Sequence, residues 1–333
     1  MLLKSFFTLG SFSLRSSIVE TLYTSRNPYG SPGSVNFEKC VFENISNGEC
    51  GGAIYINHIG FSIGLYSCGF HQCRSTKTGF SAGGMTVYYG SQVSIEKSCF
   101  FKCGSSSDTS AFQIAYHSQV TSFSCDLTFI SKPVPDPISC TILVLITGNS
   151  NAMFSNNNAS NSLTTAAGFI LSRVPGNTIM KHCQFHKIKA PYFVMSYIAS
   201  ISSPIIEKTF IVACQLDNFA TYYESNVIYI FNECGVYLNN SIQTPTYTNL
   251  GGSIKFIKCG FILPFSNKTN VEFSSDCFVN PTFITSIYMN PIVTGQCWQL
   301  GILFQKQDLT MNLRVSRLRP YFLLLISGLF FIY

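Results

Sequence analysis

Between residues 34 and 264 the apolar residues recur at every second position, in short runs broken by polar pairs. In "VNFEKCVFENI" (Val35 to Ile45), Val35 and Phe37 share one face, and Cys40 and Phe42 share one face. A spacing of two is strand periodicity, whereas a helix needs 3.6. The parity breaks between Phe37 and Cys40, and again between Phe42 and Ile45. A strand that shifts its inward parity without a Gly-rich hairpin is turning a sharp corner while staying in one stack.

The run repeats. "IGLYSCGFHQC" (Ile63 to Cys73) and "VSIEKSCFFKC" (Val93 to Cys103) align with it without a gap. "YIFNECGV" (Tyr229 to Val236) and "IKFIKCGF" (Ile254 to Phe261) are later copies; "MFSNNNA" (Met153), "HCQFHKI" (His182) and "IEKTFIVAC" (Ile206) are looser ones. With Cys40 as anchor, the equivalents are Cys68, Ser98, Asp126, Asn157, Cys183, Thr209, Cys234 and Cys259, at spacings of 28, 30, 28, 31, 26, 26, 25 and 25. A period of 20 to 50 residues denotes a solenoid, propeller or array, and a propeller blade needs four strands in about 40 residues. The predicted fold class is therefore all-β: a parallel β-helix of about nine coils of 25–31 residues. It is expected to be right-handed, because crossovers within a sheet are overwhelmingly so.

A second strand follows each anchor by about ten to fifteen residues, often after small residues: "GGAIYI" at 51, "GGMTVYY" at 83, "SAFQIAY" at 110 and "AAGFIL" at 166. Gly51, Gly52, Gly83 and Gly84 are read as tight turns that supply positive φ and leave room for the next coil. Stacked coils place equivalent residues in ladders. Phe42, Phe70, Phe100, Phe185 and Phe261 form one predicted inward ladder, and Cys40, Cys68, Cys183, Cys234 and Cys259 another.

Four segments are expected. Residues 1–33 lie outside the repeat and read as a cap or leader; the early Lys4 suits a signal peptide, but Ser residues and Arg15 interrupt the apolar run. Residues 34–285 are the repeat domain, 286–319 a C-terminal cap or juxtamembrane segment, and 320–333 an apolar tail. The tail, "PYFLLLISGLFFIY", follows Arg314, Arg317 and Arg319 and reads as a membrane anchor, with a final strand or cap as the alternative. Its 14 residues fall short of the roughly 20 of a full span.

Composition narrows the function. Charged residues are 11% of the chain, against about 25% in an average domain, so the surface rests on uncharged polar groups. The net charge of +6 is scattered, which removes nucleic acid as an expected partner. With 15 Asp and Glu in all, no carboxylate cluster for polysaccharide cleavage stands out. Glu38, Glu96 and Glu207 share a repeat position beside Lys39, Lys97 and Lys208, and read as a solvated corner. His182 and His186 sit four apart, flanking Cys183 and Phe185; on one strand this even spacing would put both outward, with no third metal ligand nearby. No cofactor is expected. The 14 cysteines read as buried thiols, although Cys40/Cys68, Cys73/Cys103 and Cys234/Cys259 approach bridging distance across coils. Asn44, Asn158, Asn239 and Asn267 begin N-x-Ser/Thr triplets and are candidate glycan acceptors if the chain is secreted.

The tetrapeptides Gly51-Gly52-Ala53-Ile54 and Phe154-Ser155-Asn156-Asn157 resemble the repeat motifs of polymorphic outer-membrane-protein-type surface proteins, pectate-lyase-like parallel β-helices. Cys replaces the motif's Asn at Cys40, Cys73, Cys103, Cys234 and Cys259. The resemblance implies cell-surface adhesion or display, with a ligand on a host or neighbouring cell and no enzymatic activity. Only about 50 residues follow the repeat, too few for that family's export barrel. A carbohydrate-active β-helix enzyme is the alternative.

Overall fold

The computed structural model describes most of residues 15–279; residues 1–14 and 280–333 and several internal stretches, the longest being 115–121, 132–139, 239–247 and 262–270, lie outside the described residues. What is described is an all-β parallel β-solenoid, about five turns of it in full. One sheet contains eleven strands, from Arg15–Val19 through Ser34–Glu38, Ser62–Tyr66 and Gln92–Glu96 to Val271–Phe273. A larger sheet carries the strands after the first corner, such as Val41–Glu43, Gly69–His71 and Cys99–Phe101, and a three-stranded sheet joins Ser46–Asn47, Arg74–Ser75 and Gly104–Ser105.

The parity breaks are corners with left-handed backbone. At the first, Lys39, Ser67, Lys97, Asn156, His182, Lys208, Glu233 and Lys258 have φ between 45 and 54°. At the second, Asn44, Gln72, Lys102, Asn161, Lys187 and Ala213 have φ between 47 and 55°. One left-handed residue flips the inward parity and turns the chain. Each such residue costs roughly 1–2 kcal/mol outside glycine. The corners still belong to the hydrogen-bond ladder: Lys39 N–H donates to Tyr66 O at 2.8 Å, and Asn44 N–H to His71 O at 2.9 Å.

Inward side chains fill the bore. Along the eleven-stranded sheet, Phe37 lies in register with Leu65, Ile95, Cys125, Phe154, Met180, Ile206, Phe231 and Phe256, all buried. On the larger sheet Phe42, Phe70 and Phe100 stack on successive coils, with centroids 4.6 and 4.5 Å apart and planes within 8°. The ladder continues as Ile130, Ala159, Phe185, Ile211, Val236 and Phe261. The expected aromatic ladder is thus continuous over three coils only, and smaller apolar residues separate Phe185 and Phe261 from it.

Three expectations change. Asp126 pairs with Glu96, not Ser98, so the anchor of that coil lies two residues later and the spacing is more even than the sequence suggested. The stacking also begins before residue 34: Arg15–Val19 pairs in register with Ser34–Glu38, and Tyr23 stacks on Phe42 at 4.8 Å. Of the four glycines, only Gly51 has positive φ, at 69°. The others are required by close approach: a Cβ on Gly83 would run into the backbone N of Gly104 and lie 2.7 Å from Cys73 O.

Candidate functional site

The densest chemistry lies along the two corners. After these left-handed residues the next side chain points inward, and where it carries a donor it meets backbone carbonyls. At the first corner Cys68 Sγ donates to Phe37 O of the preceding coil at 3.3 Å and to Tyr66 O of its own at 3.4 Å. Cys183, Cys234 and Cys259 reach Phe154 O, Ile206 O and Phe231 O in the same way, at 3.8, 3.3 and 3.4 Å. Cys277 extends the series to Phe256 O at 3.5 Å. Where the position is not Cys, another small donor occupies it: Ser98 Oγ to Glu96 O at 3.0 Å, Thr209 Oγ1 to Glu207 O at 2.9 Å, and Asn157 Nδ2 to Cys125 O at 2.8 Å.

A second ladder runs along the second corner. Cys73, Cys103 and Cys214 donate to Phe42 O, Phe70 O and Phe185 O at 3.3, 3.5 and 3.6 Å. The carbonyls of the aromatic ladder are thereby satisfied by the thiols of the next coil. All eleven of these described cysteines, with Cys40, Cys50 and Cys125 counted among them, are thiols outside any disulfide. Cys40 and Cys68, Cys73 and Cys103, and Cys234 and Cys259 are therefore unbridged, while Cys99 is disulfide-bonded. Burial pushes the thiols of Cys68, Cys73 and Cys234 well above the usual value, and that of Cys214 up to about 12. A thiol so held is not a nucleophile, because reaction requires the thiolate.

The outer surface carries cross-coil pairs. Glu207 meets Lys181 at 3.1 Å, Glu233 meets Lys208 at 3.7 Å, Glu272 meets Lys255 at 3.5 Å and Glu49 meets Lys77 at 3.4 Å. Glu43 meets His71 at 3.3 Å, and His71 stacks on Phe101 at 5.4 Å. Lys97 Nζ lies 3.9 Å from Glu96, donates to Tyr66 Oη at 3.0 Å, and sits over the Tyr66 ring at 5.1 Å. Exposed pairs of this kind contribute about 0–1 kcal/mol each.

The histidines are not on one strand: His182 occupies a left-handed corner, whereas His186 lies in the strand Gln184–Ser196. Burial, and then Lys187, lowers the His186 pKa. Among the described residues no group of three or more His, Cys, Asp or Glu is placed to hold a metal ion. Asn44 is exposed at a second corner. Asn158 is only 6% exposed, so a glycan there is incompatible with the closed coil. Asn239, Asn267 and the tail 320–333 lie outside the described residues, and among those described no helix is long and apolar enough to cross a membrane.

The second ladder was partly legible as the recurring Cys at the end of the repeat. Cys277 was missed, because the short last coil places it 18 residues after Cys259 instead of 25 or more. The class that fold and corners define is a parallel β-solenoid whose corners are lined with free thiols. No protein-family model, curated protein or solved structure matches this chain.

Proposed function

We propose that the chain is a right-handed β-helix of about nine coils, displayed at a cell surface, that binds a protein or glycan of a host or neighbouring cell along its lateral face without catalysing a reaction. One observation carries the reading: five described pairs join a glutamate to a lysine and Glu43 meets His71, so these six glutamates are engaged with neighbours along the stack and are not gathered at one site. Polysaccharide cleavage needs two carboxyl groups flanking one bond or an acidic calcium site. The uncharged polar surface and the motif resemblance to polymorphic outer-membrane-protein-type repeats support display. The Cys99 disulfide accords with an oxidising compartment. In this reading residues 320–333 hold the chain to a membrane, and Asn44, Asn239 and Asn267 are the glycan acceptors.

Cell fractionation tests the anchor. The full chain is expected in the carbonate-resistant membrane fraction, and the chain lacking residues 320–333 in the soluble one. A full chain that washes off with carbonate contradicts the anchor. Release of reducing or unsaturated ends from polysaccharides, abolished by one Asp or Glu substitution, would replace the display reading with the enzymatic one.

A further inference from the structure

On a sheet with one face in the core, the outward positions are normally polar. The central outward row of the eleven-stranded sheet follows this rule at Asn36, Gly64, Ser94 and Ser124. It then changes character: Met153, Ile179, Ile205 and Ile230 follow in register on four successive coils. Met153 is 49% exposed, and the three isoleucines are half-buried. Ile228, two residues from Ile230 on the same face, is 42% exposed. The row ends in charge, at Lys255 and Glu272. An apolar patch confined to the middle of an otherwise polar face marks a contact surface.

We infer that this stripe is the contact between two copies of the chain, laid face to face about a two-fold axis that runs along the strands between the coils of Ile179 and Ile205. The charges select this occupant. Lys181 and Glu207 flank the stripe in the adjacent outward row, on neighbouring coils, 3.1 Å apart. The two-fold sets Ile179 against the partner's Ile205 and Met153 against the partner's Ile230. The same operation sets Lys181 opposite the partner's Glu207, and Glu207 opposite the partner's Lys181. The surface is self-complementary in both polarity and charge, as an isologous interface requires. The remaining charges of the row do not collide: Lys255 comes opposite the partner's Ser124, and Glu272 opposite the partner's Ser94. With coils about 4.8 Å apart and strands of about five residues, eight facing coils cover on the order of 650 Å² per copy. A standard interface buries about 800 Å² per partner, so the contact falls toward the small end of that class. It does not depend on the identity of any surface ligand.

Sedimentation velocity on the full chain in one mild detergent, from about 1 to about 100 µM, tests the contact. The wild-type chain is expected to form a dimer, and Ile205→Asp to weaken it at least tenfold. Lys181→Glu alone and Glu207→Lys alone also weaken it, since each opposes like charges across the axis. An equal mixture of these two variants restores association, because every cross-copy pair becomes complementary while the pair within each chain stays broken. That rescue separates copy-to-copy contact from loss of folding, and a near-unchanged thermal midpoint for the two half-buried charge variants confirms it. A chain that stays monomeric throughout, a dimer indifferent to Ile205→Asp, or a mixture that fails to recover overturns the proposal. A monomer that loses liposome binding on Ile205→Asp assigns the stripe to a lipid surface and overturns it equally.

Discussion

Cys68 does two jobs within one coil boundary. Its sulfur fills a buried corner, and its proton serves carbonyls on two coils, Phe37 O and Tyr66 O. The occupants of the same position in other coils, Ser98, Thr209 and Asn157, share the ability to donate rather than hydrophobicity. Cys68→Ser should therefore cost less than about 1 kcal/mol, whereas Cys68→Val, closer in apolar character, removes the donor to Phe37 O and should cost more, about 1–3 kcal/mol. Urea unfolding of the two variants checks the order; equal losses would mean that the thiol acts by volume alone. His186 gives a pH signature. Its folded pKa is lowered, chiefly by burial, so the unfolded chain binds more protons as the pH falls below about 6.5. The stability contributed by neutral His186 is present above that pH and is lost on acidification. His186→Gln should flatten this part of the stability profile, and an identical slope in the variant would contradict it.

At the scale of the element, each corner couples a strained residue to a tight neighbour. Gly83 is wedged between Gly104 N and Cys73 O, both backbone atoms that cannot swing aside. Gly83→Ala should lower stability by about 1–3 kcal/mol or more, the range for overpacking, with the loss read from the thermal midpoint. A neutral result would mean that the coils can separate locally. The strands themselves were legible: alternation in "VNFEKCVFENI" separates inward Val35 and Phe37 from outward Asn36, and the parity breaks mark Lys39 and Asn44 as corners. What periodicity cannot supply is register where a coil lacks its landmark. Asp126 reads as an anchor because in that coil the Cys and Phe are out of place, with Cys125 in the strand and Ile130 where the ladder Phe stands, and only the ladder with Glu96 corrects it. Of the two roles the sequence suggests for the glycines, room for the next coil holds at Gly52, Gly83 and Gly84, where the constraint comes from a backbone one coil away, and positive φ holds only at Gly51. Tyr23 was invisible for a related cause: its coil is shorter than the period, with 19 residues between Arg15 and its partner Ser34.

At the scale of the molecule, identical corners repeated along one axis make a long stack with distinct faces. The core is a continuous ladder, so local damage is carried by neighbours as well as by the coil that bears it. Free buried thiols should resist modification throughout the native stack. A thiol-specific reagent should leave Cys68, Cys73, Cys214 and Cys234 unlabelled until denaturant is added, because burial suppresses their thiolates and shields their sulfurs. Rapid labelling of Cys73 or Cys214 in the folded chain would contradict the ladder. The outward faces carry little formal charge, and six of the described glutamates stand in short pairs, which is what the proposed display reading rests on. The central claim is that these faces look outward from a cell. An antibody against residues 34–105, applied to intact cells and to permeabilised ones, tests it most directly: display predicts equal labelling of both, and labelling only after permeabilisation would contradict it.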